Sequence, residues 1–206
     1  MKCSGNQNDW FSKDQGGVGK EVEVISSETY TPQKLLDYMK QHHYDLVEEF
    51  VIQHNDLNEL SPSGLNTIRI ITQTDKNDVI FLAARLRISV NSPVDNMGAG
   101  NIAAPVDLKT GIVTGPGVFS DITRDSEGVH PVTGIKIEGF RIPHWERVLE
   151  LAGTAAQNAS GNRSVGWDIA VTEEGVELIE GNHNWCKLLW QLPVNRGLKA
   201  DLMGFK

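Results

Sequence analysis

Residues 165–182 read VGWDIAVTEEGVELIEGN, two alternating runs of apolar and polar residues around a polar centre. Such alternation is the mark of a β-hairpin. With Glu173, Glu174 and Gly175 as a three-residue loop and the glycine in the left-handed position, Thr172 pairs with Val176 and Asp168 faces Glu180. Trp167, Ile169 and Val171 then share the core face, while Asp168, Glu180 and Asn182 look the other way, into a cleft or solvent. Directly opposed residues have Cβ atoms about 5 Å apart, so two carboxylates there repel unless a cation or a proton neutralises them. Asn182 falls opposite Gly166, whose missing side chain leaves room for a bound species. Asp, Glu and Asn are oxygen donors and suit a hard cation such as Mg²⁺ that bridges carboxylates to nucleotide phosphates. A solvated hairpin face carrying two acids is the other reading, and spacing alone leaves the two open.

Outward from the hairpin, the chain of 206 residues, with 39% apolar and 22% charged residues and a formal charge of −8, reads as an ordinary acidic globular protein able to bury a core. That charge disfavours broad nucleic-acid or membrane-surface binding. Only Cys3 and Cys186 are present, so neither a disulfide framework nor a cysteine metal site is supported, and a reducing cytosol fits best. No segment approaches the ~20 apolar residues of a membrane span. The pattern changes near residue 55, which predicts two lobes, 1–55 and 56–206. In the first, DWFSK (9–13) and EVEVIS (21–26) read as strands around a glycine-rich loop, Thr31 and Pro32 open a helix to about His43, and YDLVEEFVI (44–52) is a strand. In the second, LNTIRIITQ (65–73) and VIFLAARLRIS (79–89) make a hairpin through a polar turn. Residues 91–140 read as loops and edge strands, and a helix follows Pro143 with Trp145, Val148, Leu149, Ala152 and Ala156 on one face.

Several smaller groups of residues bear chemistry. KDQGGVGK (13–20) is not a Walker A loop, because Asp14 and Glu21 stand where glycine and Ser or Thr are needed. Its glycines Gly16, Gly17 and Gly19 fit either a plain β-turn or a flexible loop lying over phosphates, with Lys13 as a point charge. Glu48 and Glu49 interrupt an apolar strand, as an edge strand allows or as adenine recognition requires. Arg85 and Arg87 share a strand face with Arg69 nearby, a positive patch suited to phosphate or carboxylate. After them, Asn96, Gly98, Gly100 and Asn101 offer amide donors and close backbone approach. His54, His130, His144 and His183 have no zinc-type spacing.

Taken in order, these pieces resemble the ATP-grasp superfamily, and most closely its sugar-transfer-associated family; the closing helix and hairpin are the most specific. The resemblance covers nearly the whole chain and implies an α+β fold of two lobes with antiparallel sheets and flanking helices. It implies an ADP-forming, ATP- and Mg²⁺-dependent carboxylate–amine ligase that works through an acylphosphate on a polysaccharide or cell-envelope precursor. A non-catalytic nucleotide-binding module is the alternative. Position by position, Lys13 resembles the phosphate-contacting lysine, and Gly16, Gly17 and Gly19 the closing loop. Glu48 or Glu49 resembles the adenine-side acid, with the backbone of Phe50 and Val51 serving the ring and Arg69 placed with the nucleotide. Asp168, Glu180 and Asn182 resemble the magnesium ligands, Arg85 the arginine that holds the transferring phosphate or acylphosphate, and Asn96 part of the substrate-side loop. Such enzymes usually carry a preceding α/β domain. Because this chain starts almost at the glycine loop, either it is a fragment of a longer polypeptide, or a partner supplies the missing part, or it is a degenerate protein that binds nucleotide weakly or not at all. A homo-oligomer is the other expectation for its partners.

Overall fold

The computed structural model describes residues 9–13, 23–26, 29–44, 46–76, 78–159 and 161–205; in the first two segments only the backbone and Ile25 enter the description. Strands β1 (Asp9–Lys13) and β2 (Glu23–Ser26), helix α1 (Pro32–His42) and strand β3 (Leu46–Glu49) come first, and the strands form an antiparallel sheet in the order β2-β1-β3. The ends of α1 follow their residues. Thr31 Oγ1 accepts from the Lys34 N–H at 3.4 Å, Pro32 sits in the first turn, and His43 closes the helix with φ 60°. The predicted strand 44–52 is shorter, because β3 ends with its partner: Trp10↔Glu49 is the last pair, and Phe50 and Val51 have left the strand. Gly16, Gly17 and Gly19 lie outside the described residues.

Helix α2 (Asn55–Leu60), which the sequence reading missed, is capped by His54 Nδ1 accepting from the Asp56 N–H at 3.2 Å and buries Leu57 and Leu60. Then come β4 (Thr67–Asp75), β5 (Asp78–Ile88), β6 (Ile102–Val106), β7 (Val118–Phe119), α3 (Trp145–Asn158), β8 (Ser164–Val171), β9 (Val176–Asn182), α4 (Lys187–Gln191) and α5 (Lys199–Leu202). The strands among them form an antiparallel sheet in the order β7-β6-β5-β4-β8-β9. The α+β expectation holds. One face packs on α3, where Val148, Ala152 and Ala156 meet Ile68, Ile70, Leu86, Trp167, Ile169 and Val171. Each buried valine, leucine or isoleucine among them contributes about 1.5–3 kcal/mol by leaving water, and each alanine less. The buried Trp167 indole donates to Thr72 Oγ1 at 2.9 Å, so its N–H is not stranded.

The opposite face is not solvated. Chain segment 185–202 lies over it, Trp190 and Leu198 packing on Ile71 and Ala83, and Leu189 on Met97 and Ala103. Strand β4 is therefore buried on both faces over Thr67–Gln73. No described helix is long and apolar enough to cross a membrane.

The hairpin of 165–182 forms with Asp168 opposite Glu180 and Gly166 opposite Asn182, as predicted. The turn differs. Val171, not Thr172, pairs with Val176, the Thr172 N–H donates to the Gly175 carbonyl at 2.9 Å, and Gly175 is not left-handed. A β-bulge between Asp168↔Glu180 and Ile169↔Leu178 takes up Ile179 and restores the register of the acids.

Candidate functional site

Cross-strand pairing sets five residues in one row on the covered face: Pro105, Arg85, Arg69, Asp168 and Glu180, from β6, β5, β4, β8 and β9. Arg87, two residues beyond Arg85, shares that face. The predicted positive patch is thus present, but it is buried, with Arg69, Arg85 and Arg87 each about 5% exposed or less. Buried guanidinium groups need counter-ions.

Asp168 supplies the first. The Arg69 guanidinium donates to both its carboxylate oxygens, through Nε to Oδ1 and Nη2 to Oδ2 at 2.7 Å, and Arg87 Nη1 donates to Oδ2. Asp95 supplies the second, 2.7 Å from Arg87 Nη2 and itself held by the Thr67 N–H at 2.8 Å and Thr67 Oγ1 at 2.5 Å. Asn96 Oδ1 also accepts from Arg87 Nη2. Two arginines and two aspartates make a neutral buried cluster. Burial pushes the Asp168 carboxyl up, but Arg87 and then Arg69 outweigh it and hold it below the usual carboxylate range. Asp95 goes the other way, because burial outweighs Arg87 and Thr67. For Arg87 the burial penalty is overcome by Asp95 and Asp168, and its pKa rises.

This corrects one expectation: Asp168 is 1% exposed and does not look into solvent. The cation beside it is guanidinium. Nor is the space above Gly166 open to a bound species, since Trp185 Cβ and Arg69 Cδ would stand 2.5 and 2.9 Å from a Cβ placed there. Glu180 is exposed, and its Oε1 accepts from Asn182 Nδ2 at 3.0 Å. Among the described residues no three or more His, Cys, Asp or Glu are grouped to hold a metal ion; the predicted set has two acids and an amide.

Beside the cluster lies a cavity of about 390 Å³, lined by Arg69, Arg87, Asn96, Cys186, Leu189 and the 97–99 turn. That volume is in the range of small-molecule sites. Asn96 is held at its rim by Asn101, whose Nδ2 donates to the Asn96 carbonyl at 3.0 Å and the Val94 carbonyl at 2.7 Å while its Oδ1 accepts from the Val90 N–H at 2.7 Å. Asn101 is fully buried and shapes the loop, so its amide is not free for an anion as expected.

The structure therefore brings Arg69, Asn96, Asp168, Glu180 and Asn182 together. Arg85 is near them along the sheet but turns away: its Nε and Nη2 donate to the Trp190 carbonyl at 3.2 and 2.5 Å, and its Nη1 to the Ala84 carbonyl at 2.7 Å. Burial and then Arg196 lower its pKa to about 10. Lys13, Glu48 and Glu49 belong to the other sheet, where Lys13 pairs with Leu46 and Glu48 with Phe11. Sequence reasoning placed Arg87 in the positive patch but gave it no role of its own, named Cys186 without placing it at the site, and missed Asp95 and Thr67. The signal was there for Asp95: three arginines on a face that is also apolar demand acids nearby.

A comparison with curated proteins gives no match. A family model, sugar-transfer associated ATP-grasp, matches residues 3–206. That span takes in both sheets and the whole arginine–aspartate cluster, and the chain accordingly belongs to the sugar-transfer associated ATP-grasp family, which points to an ATP-dependent, ligase-type function associated with sugar transfer.

Proposed function

We propose that this chain works as an ATP- and Mg²⁺-dependent, ADP-forming carboxylate–amine ligase on a polysaccharide or cell-envelope precursor, with residues 1–55 as the smaller lobe and 56–206 as the larger. The observation that carries this reading is the pairing of Asp168 with Glu180, and of Gly166 with Asn182, directly beside the cavity lined by Arg69, Arg87 and Asn96. The donor chemistry fits magnesium carried on a triphosphate better than a bare ion. Asp168 is engaged by two arginines, so a cation can reach it only if anions take the arginines in exchange. A triphosphate is such an anion.

When bound, ATP with magnesium would supply the phosphoryl group that activates a carboxylate for capture by an amine. The chain's own residues would then do the following. Asp168, Glu180 and Asn182 would hold the metal, and Arg69 and Arg87 would bind and neutralise phosphate oxygens. Asn96 would orient the acceptor side of the cavity. Lys13, the loop with Gly16, Gly17 and Gly19, Glu48 or Glu49, and the backbone of Phe50 and Val51 are proposed for the phosphate and adenine ends of the nucleotide. Catalysis on this reading is positioning and charge neutralisation.

The closed state of Asp168 also favours a second reading, a non-catalytic module in which the four charges only stabilise the fold. A nucleotide titration with and without Mg²⁺, followed by ADP release with candidate acids and amines, separates the two. For the ligase, Asp168→Asn and Glu180→Gln each remove about tenfold of affinity, about 1.4 kcal/mol, from the magnesium-dependent part. Magnesium dependence unchanged in both variants would overturn the site.

A further inference from the structure

Arg85 is the buried charge that the nucleotide reading does not use. It is 4% exposed, and all its hydrogen bonds within the described residues go to the carbonyls of Ala84 and Trp190. Among the described residues no carboxylate pairs with it, unlike Arg69 and Arg87. Three of its five guanidinium N–H groups are engaged in these bonds, which leaves donors for another acceptor. A second buried donor stands beside it. Trp190 is 3% exposed, and among the described residues its indole Nε1–H has no hydrogen-bond partner.

Both side chains line one cavity of about 340 Å³ between β5, the turn after β6, and the C-terminal segment. It is distinct from the cavity of Arg69, Arg87 and Asn96. Arg196 and Lys109 also line it, both exposed, and so do two acids. Neither acid pairs with Arg85. Asp107 Oδ1 accepts from the Thr110 N–H and hydroxyl and from the Lys109 N–H, and Asp201 pairs with Arg196 at 3.1 Å. A buried guanidinium without a counter-ion and a buried indole N–H without an acceptor are costly, and one small anion would satisfy both.

We propose that this cavity is an oxyanion site, separate from the nucleotide site, that takes a phosphate or carboxylate group on Arg85 and Trp190 Nε1, with Arg196 at its mouth. The apolar Leu198 and Leu82 beside them leave room for the carbon part of such a ligand. The inference does not rest on the ligase reading.

The test is an NMR titration of the full chain with inorganic phosphate and, separately, with acetate, following the indole N–H resonances. The Trp190 signal is assigned by its loss in Trp190→Phe. A saturable shift of that signal with either anion is expected, and the anion that gives it identifies the source. Arg85→Gln should weaken the binding at least tenfold and Arg196→Gln severalfold, whereas Glu180→Gln, at an exposed position, should leave it unchanged even where it weakens magnesium-dependent nucleotide binding. Should Arg85→Gln fail to fold, the exposed Arg196→Gln and Trp190→Phe, which removes the indole N–H, carry the test by calorimetry. No shift with either anion, or wild-type affinity in the Arg85 and Trp190 variants, overturns the site.

Discussion

Arg69 and Asp168 face each other across β4 and β8, and the guanidinium of one grips both oxygens of the other at a depth where Asp168 is 1% exposed. Removing one partner of a buried pair leaves an uncompensated charge, which costs about 3–5 kcal/mol. Asp168→Asn should therefore lower the unfolding free energy by about 3 kcal/mol, read as a lower urea midpoint at unchanged slope. Glu180→Gln, at an exposed position, should stay within about 0.5 kcal/mol of wild type. Equal stability of the two variants would mean the arginine pair contributes nothing.

Gly166 is required for a steric reason. A Cβ there would meet Trp185 Cβ at 2.5 Å and Arg69 Cδ at 2.9 Å, whereas one on Gly98 meets nothing within 4 Å. Gly166→Ala should cost about 1–3 kcal/mol, while Gly98→Ala stays near wild type; thermal melts of the two variants check the contrast.

Cys186 lines the cavity with Arg69, Arg87 and Asn96 and is exposed. In a Cys3→Ser background, a thiol-alkylating reagent should modify Cys186, and ATP with Mg²⁺ should slow that modification. Mass spectrometry of the labelled peptide reads the rate. A rate indifferent to nucleotide would place the triphosphate elsewhere.

Asp107 offers a pH test. Thr110, through its hydroxyl at 2.7 Å and its N–H at 2.8 Å, holds the Asp107 carboxyl below the usual carboxylate range. The folded chain thus binds this proton less readily than the unfolded one, so the stability it gives is full above about pH 4 and is lost as pH falls through the lower folded value. Asp107→Asn should melt slightly below wild type at neutral pH, and the gap should narrow as pH drops below about 4. A gap that widens in acid contradicts this assignment.

How legible was all this in the sequence? The helix 145–158 and the opposition of Asp168 and Glu180 were, because period and charge spacing are local properties. The second covering layer was not. Residues 183–205 fall into turns and short helices without a sustained period, so nothing in them announced that they would seal the arginine face. Once that face is sealed, the meaning of Asp168 changes from an open ligand to an ion-paired one. The divergence of Arg85 from Arg69 and Arg87 follows from the same layer, since the carbonyl it seeks belongs to Trp190.

The bulge at Ile179 has a consequence for how this hairpin can change. It splits the ladder into two frames, one counted from the turn and one from the acids, and a strand shifted by one position turns every side chain over. Loss of Ile179 would simply close the bulge and keep Glu180 across from Asp168. The tip of the hairpin is therefore free to be rebuilt, by drift or by design, while the acidic end keeps its alignment.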